Sequence, residues 1–483
     1  MKRKNLILIL CCITLYSCQE DDIIIPAKTL WERDSMFLNL KNNMINPSIE
    51  GNTLDYLFDI NSLPVITLLL NKDDWNKYLT NFDSNPDTRQ YVPTRFVFQK
   101  DGHVWYRDSI GIRPRGNTSR VRPEGNYSEP HDSINADWHH AHFNLKFPDK
   151  NTFLGTDRMV LKCFMHDPAY CREIYCYDLM KRFGLWSAPR ASYCRLYISI
   201  DGDLQPAYFG IYEMVEGVHK TFLDDRKKRG YVSDKNFNLW KASPWHEKAS
   251  FFNPNPLIMG IEDDESAANH TYTYTLKTNK SKLYSAQNEL CNFIIKLQTL
   301  DSGSDELHKW LENNVDIDLF LKYTSICVIT GSWDDYWNRG NNFYFFFDQN
   351  HKMHIIPWDF DNTLGNISMP DFDSGTHDVL NWGGFDNDQI LIKQILSIPQ
   401  YKKLYISYIK QLINTSSLFD PANSQQRIQN FHSIISSHIT NDTDEDMIIR
   451  DNSVEWSVPD YYKLLSGDSV TNFFLAKIKS IYF

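Results

Sequence analysis

Five consecutive aromatic residues, Phe343-Tyr344-Phe345-Phe346-Phe347, constrain this chain more than any other feature. Such a run, closed by the turn residues Asp348-Gln349-Asn350, reads as a buried strand, and His354-Ile355-Ile356 reads as its return partner in a hairpin. Gly331 to Asn342, rich in Gly, Asn and Asp, reads as the loop leading in. The return strand delivers Pro357-Trp358-Asp359-Phe360-Asp361-Asn362-Thr363-Leu364-Gly365. A hairpin therefore brings acids and amides from two segments together at its open end. If the second segment stays extended, Asp359 and Asp361 point to one side and Phe360 to the other. Two carboxylates with an Asn carbonyl form a hard oxygen site suited to Mg²⁺ or Mn²⁺. Asp334, in the first loop, could accept a proton from an attacking hydroxyl.

Upstream, Leu319, Phe320, Tyr323, Ile326, Cys327 and Thr330 mark one face of a helix that stops at Gly331. Helix, Asp loop, Asn, hairpin and a later Asp is the order of the catalytic segment of protein kinases. Phosphate chemistry also needs cations. Gly111-Ile112-Arg113-Pro114-Arg115-Gly116-Asn117-Thr118-Ser119-Arg120 offers several, together with donors for phosphate oxygens. Lys146 sits between apolar neighbours in a strand-like segment. Glu216 ends the strand-like Tyr208 to Val215, where it could orient a lysine or simply begin a turn.

Strand patterns at Leu63 to Leu70, Arg95 to Phe98, Ile110 to Arg115 and Phe143 to Phe147 make the first third strand-rich, and Asn71 opens a helix. Asp167-Pro168 predicts a capped helix running to Gly184, followed by strands at Ser192 to Ile200 and Ala207 to Val215. From about Leu283 the pattern turns helical, and the tail from Gln389 to Phe483 is mostly helical. At 483 residues the chain exceeds what one core usually holds. The expected fold class is α+β with two lobes: a strand-rich N-terminal lobe and central region over 61–300, and a helix-rich C-terminal lobe over 301–483.

Residues 1–18 read as a lipoprotein signal peptide. Lys2-Arg3-Lys4 precedes an apolar stretch too short to span a bilayer, which ends at Leu15-Tyr16-Ser17-Cys18, the pattern of a lipobox. Cys18 is the expected lipidation site, and Gln19-Glu20-Asp21-Asp22 resembles the acidic export tag of some surface lipoproteins. Residues 19–60 read as a tether. The expected location is the outer membrane, held by the lipid anchor alone, with exposure at the cell surface as a further expectation. A net charge of −11 without a basic stripe disfavours nucleic acid. No CxxC pair, GxSxG, HExxH or Walker loop occurs, and zinc is not expected at the tract His139, His140 and His142, where only His140 and His142 share an alternating strand face.

The ordered motifs resemble the CotH kinase family, from about residue 60 to 370. Arg115-Gly116-Asn117-Thr118-Ser119 matches its RGxSS-like element, Lys146 its lysine-bearing strand, and Tyr208 to Glu216 its YxGxYxxxE element. Trp333-Asp334, Asn341-Asn342-Phe343-Tyr344 and Pro357 to Gly365 match the Asp loop and PWDxDxxxG. The resemblance implies an atypical protein-kinase-like fold, ATP with a divalent metal, and a protein phosphoacceptor. On that analogy Asp334 is the base, Asn342 with Asp359 or Asp361 holds metal, Lys146 and Arg115 touch phosphates, and Glu216 positions the lysine or nucleotide. The doubled Asp334-Asp335 leaves the base ambiguous by one position, and an insertion at Glu124 to His142 separates the Arg motif from Lys146. The rival expectation is a non-catalytic glycan- or protein-binding surface module on a degenerate kinase fold. A metal-dependent phosphodiesterase using the same acids is a third.

Overall fold

The computed structural model describes residues 47–482, apart from positions 50, 52, 118, 166, 235–236, 246, 263–270, 367–371, 384–388, 415, 440–460 and 469–470. Cys18 and most of the expected tether lie outside the described residues. The fold is α+β.

The first half closes a barrel. Its strands are β1 (Val65–Leu70), β2 (Val92–Lys100), β3 (His103–Arg115), β4 (His142–Lys146), β5 (Arg158–Cys163), β6 (Ala191–Ile200) and β7 (Ala207–Glu216). Their order around the barrel is β1-β2-β3-β4-β5-β7-β6, and parallel pairing of β1 with β6 closes it. Alternation fills the inside with apolar side chains, among them Ile66, Leu68, Phe96, Phe98, Ile112, Leu145, Leu161 and Leu196. The intervening residues face outward, which puts Lys162 of β5 and Glu213 of β7 side by side on the outer surface.

A second, five-stranded sheet has the order β12-β11-β8-β10-β9. It comprises β8 (Asn238–Ala242), β9 (Met259–Gly260), β10 (Tyr274–Leu276), β11 (Phe343–Phe347) and β12 (Met353–Pro357). The aromatic run is β11, fully buried, and Phe343 pairs with Pro357 at the open end of the expected hairpin. Because β11 also pairs with β8, this sheet draws strands from both sides of residue 300. The expected boundary at 300 therefore falls inside one sheet.

Helices pack on both the barrel and the second sheet. In chain order the main ones are α1 (Lys72–Ser84), α2 (Arg172–Arg182), α3 (Leu283–Thr299), α4 (Ile317–Thr330), α5 (Ile390–Ser397), α6 (Pro399–Ile413), α7 (Pro421–Ile439) and α8 (Phe473–Ser480). The helix expected from Asp167 starts at Arg172 instead. The Asp167 carboxylate accepts from the backbone N–H groups of Ala169, Cys171 and Arg172, so a tight turn precedes the first helical residue. Tyr170 takes a positive φ within that turn.

The insertion at 124–142 is packed onto the barrel. Trp75 donates through Nε1 to Glu124 Oε2 at 2.6 Å, and the buried His131 ring lies between Glu124 (3.0 Å) and Asp203 (2.7 Å). Burial opposes charging this imidazole, but the two carboxylates prevail and raise it to about 9.

Candidate active site

Lys162 is the centre of the site. Its side chain is 4% exposed, a position where an ammonium needs charged partners. It donates to Glu173, in the first turn of α2, and to Asp359 Oδ1 at 2.5 Å, while Asp361 Oδ2 lies 3.6 Å away. Arg115 approaches the same Asp359 oxygen at 3.6 Å and rests over the Trp358 ring. A strand, a helix and the segment after the hairpin thus meet at one cation.

The loop geometry explains how both acids reach it. Asp359 adopts φ 63°, and the Thr363 N–H donates to the Asp361 carbonyl at 3.0 Å, so the segment turns rather than staying extended. The Asp359 N–H donates to the Tyr177 hydroxyl at 3.1 Å, and the Leu364 N–H donates to the Thr330 carbonyl at 2.7 Å. These bonds tie the loop to α2 and α4. Burial pushes Asp359 up, but Lys162 and Arg115 outweigh it and hold this carboxyl well below the usual range. Burial, opposed by Lys162 and reinforced by the Asp359 charge, leaves Asp361 raised. Glu173 is also raised, by burial first and then by the two aspartates against the pull of Lys162.

Asp334 lies in the loop after α4. It accepts from Asn341 Nδ2 at 3.1 and 3.2 Å and from Asn342 Nδ2 at 2.9 Å. Burial, with added repulsion from Asp361 and Asp359, raises its carboxyl to about 7. Asp335 has another task. It caps the short helix Tyr336–Arg339 by accepting the Asn338 N–H at 2.8 Å, and its side chain is buried. Of the two, Asp334 is the one whose carboxyl feels the charges of Asp361 and Asp359. Gly340 ends that helix at φ 62°, where a Cβ would come within 2.8 Å of the Ala249 backbone nitrogen.

Two residues expected at the site stand elsewhere. Lys146 lies opposite Arg158 in the barrel ladder, with its Nζ over the Tyr91 ring at 5.4 Å. The lysine among the carboxylates is Lys162, one strand further on. Glu216 is three residues from Glu213 and so faces the other way. It accepts from Arg190 (2.9 Å) and from Arg226 (2.7 and 3.0 Å), not from a lysine. The acid beside Lys162 in the ladder is Glu213. Its Oε1 is buried and has no hydrogen-bond partner among the described residues, and burial with the Glu173 charge pushes it well above the usual range. A lysine in the apolar strand Met159-Val160-Leu161-Lys162-Cys163, with a glutamate at the start of the next helix, was the available signal.

Among the described residues, no group of three or more His, Cys, Asp or Glu side chains closes around a metal position. Asp359 and Asp361 instead form an open pair, with side chains 28% and 35% exposed. An open carboxylate pair suits Mg²⁺, which is commonly held by one or two carboxylates together with substrate phosphates. The Asn342 amide nitrogen is committed to Asp334, which leaves its carbonyl oxygen as the atom able to meet a cation.

The sequence has relatives. It is 21% identical over 385 residues to "Spore coat protein homolog 1" of Rhizopus delemar, covering 77% of this chain and 54% of that protein. It is 22% identical over 399 residues to "Invasin CotH3" of the same organism, covering 77% of this chain and 61% of that protein. "Invasin CotH7", also from Rhizopus delemar, matches at 23% over 253 residues, covering 51% of this chain and 37% of that one. The chain thus spans between about a third and three-fifths of these relatives' lengths. The sequence model described as "CotH kinase protein" matches residues 112–463, a span that holds Lys162, Asp334 and Asp359, and the chain belongs to that family.

Proposed function

We propose that this protein transfers the γ-phosphoryl group of ATP to a protein hydroxyl, within a two-lobed kinase-like arrangement of barrel and helical half. The observation that carries this reading is Lys162 shared between Glu173 and Asp359, with Asp334 held nearby by two amides. A lysine fixed by a helix glutamate is the arrangement protein kinases use to hold nucleotide phosphates. Lys162 and Arg115 would meet phosphate oxygens. Asp359, Asp361 and the Asn342 carbonyl would hold Mg²⁺ or Mn²⁺, which neutralises charge on the phosphates when bound. Asp334 would take the proton of the acceptor hydroxyl, and a carboxyl raised to about 7 is suited to that task near neutral pH.

The location proposed is the outer membrane, through a lipid on Cys18. Among the described residues, no helix is long and apolar enough to cross a membrane. A second reading, a surface module that binds protein or glycan without catalysis, draws support from the relatives named invasins. The test is incubation of the protein with γ-labelled ATP and Mn²⁺, followed by mapping of labelled residues. Label on Ser or Thr that disappears in Lys162→Met supports transfer. No label on itself or on any offered protein, with no thermal stabilisation by ATP and metal, sinks it in favour of the binding module.

A further inference from the structure

The chain carries a net charge of −11, yet cations collect along a strip that leads away from Asp359. The strip begins at Arg115, 3.6 Å from Asp359. Beyond it the second sheet supplies Lys241 in β8 and Lys277 just past β10. Lys277 Nζ and Arg89 Nη2 each lie 3.4 Å from Glu262 Oε2. Further on, Arg120 pairs with Asp87.

The strip continues over the outer face of the barrel. Gly111, Lys146 and Arg158 stand opposite one another across β3, β4 and β5. The Tyr91 ring covers that row at Gly111, where a Cβ would come within 2.9 Å of it, so the missing side chain is what lets the ring lie down. Around this ring stand Arg113 at 5.2 Å, Lys146 at 5.4 Å and Arg158 at 5.7 Å.

Cations of the strip lie close enough to repel one another. Burial first, then Lys277 and Arg89, push Lys241 down to about 7. Burial, Arg89 and Arg113 bring Arg120 down to about 10. Arg89 Nε and Arg158 Nη1 are buried with no hydrogen-bond partner among the described residues. Elsewhere in the molecule comparable arginines are answered directly: Arg226 takes both oxygens of Glu216, and Arg190 takes Glu216 and Asp225. In the strip, by contrast, Arg89 and Lys277 share the single carboxylate of Glu262, and like charges gathered in this way cost free energy that a bound anion would offset.

We propose that the strip docks the acceptor chain, and that the preferred acceptor is an acidic protein segment whose carboxylates or phosphates flank the hydroxyl. This rests on the phosphotransfer reading for what happens at the hydroxyl, but not for binding. A triphosphate at Lys162 reaches Arg115. The Gly111–Lys146–Arg158 row lies beyond Tyr91 and crosses three strands spaced about 4.8 Å apart, a width suited to an extended chain. Single-stranded nucleic acid would want open aromatic faces for its bases, whereas the ring here, Tyr91, is ringed by three cations.

Binding of a labelled Glu/Ser peptide to the full chain, without ATP, tests the idea. The peptide should bind, weaken with salt, and lose at least about tenfold in affinity in Lys146→Gln/Arg158→Gln. Lys146→Arg should keep the affinity, as should the remote exposed Lys402→Gln. Equal binding of a Lys/Ser peptide, tighter binding of oligouridylate, or no loss in the double variant would overturn the proposal. Where transfer is measurable, the double variant should raise KM for the acidic acceptor and leave KM for ATP unchanged; a raised KM for ATP instead assigns the strip to the nucleotide and overturns it. Because the first arm needs no catalysis, a failed kinase assay and a failed docking site give different results.

Discussion

Lys162 Nζ lies 2.5 Å from Asp359 Oδ1 while also donating to Glu173, so one ammonium joins a barrel strand, the first turn of α2 and the loop after the hairpin. Removing it leaves Glu173 without its cation and Asp359 with Arg115 alone, and breaking a buried pair in this way costs about 3–5 kcal/mol. Lys162→Met is therefore expected to lower the melting temperature and to reduce phosphoryl transfer by at least about a hundredfold, the scale of losing one fixed donor to a developing charge. Lys146→Met should leave transfer to a peptide without acidic residues within about threefold, as expected for a residue away from the reacting atoms. Steady-state kinetics on both variants decides between the two lysines.

Glu213 gives a second prediction. Burial and the Glu173 charge push this carboxyl well above the usual range and so favour its neutral form, and it stands beside Lys162 in the ladder. A neutral acid is well mimicked by an amide, so Glu213→Gln should change stability by less than about 1 kcal/mol. Were Glu213 ionised and paired with Lys162, the same variant would cost several kcal/mol, on the scale of a broken buried pair. Denaturant unfolding distinguishes the two.

The hairpin, the buried aromatic strand and the helix ending at Gly331 were legible because each rests on local pattern: an apolar run, a turn, a left-handed glycine. Asp334, Asp359 and Asp361 were legible for the same reason, being punctuation beside a strong strand. Lys162 and Glu213 were not. Their meeting depends on which barrel strands are neighbours, and β5 pairs with β7 rather than with β6. Lys146 is equivalent in sequence, as a lysine flanked by apolar residues, and only the ladder separates them. Taking the strand's end as the functional position selects Glu216 over Glu213, although period two turns those residues to opposite faces.

Asp334 and Asp335 should separate cleanly. Asp334→Asn removes the acid facing the site and is expected to lower turnover by about 10²–10⁴-fold while sparing ATP and metal affinity. Asp335→Asn keeps an oxygen able to cap the Tyr336–Arg339 helix and should retain transfer, whereas Asp335→Ala should cost about 1 kcal/mol of stability. Loss of turnover confined to Asp335→Asn would reverse the assignment.

The anchor is tested on the full chain. Cys18→Ser should abolish lipid labelling and processing at that residue, and release the protein from membranes. Membrane retention of that variant would require another anchor.

His131 supplies a prediction in pH, far from the carboxylates of the site. Its folded value is raised to about 9 from an ordinary 6.5, by Asp203 and Glu124 against burial. A raised histidine stabilises the folded state fully below the unfolded value, and that contribution is lost as pH rises through the folded value. The window is therefore pH 6.5 to about 9. The stabilisation should be about 1–3 kcal/mol, since a tenfold gain in proton affinity on folding corresponds to about 1.4 kcal/mol at most. In wild type, unfolding free energy should decline across that window as the imidazolium gives up its proton between the two carboxylates. His131→Gln should be less stable at pH 6 and should lack the decline. Parallel stability curves for the two proteins from pH 6 to 9 would show that the insertion at 124–142 is held by packing of Trp75 and Trp138 rather than by the charged imidazole.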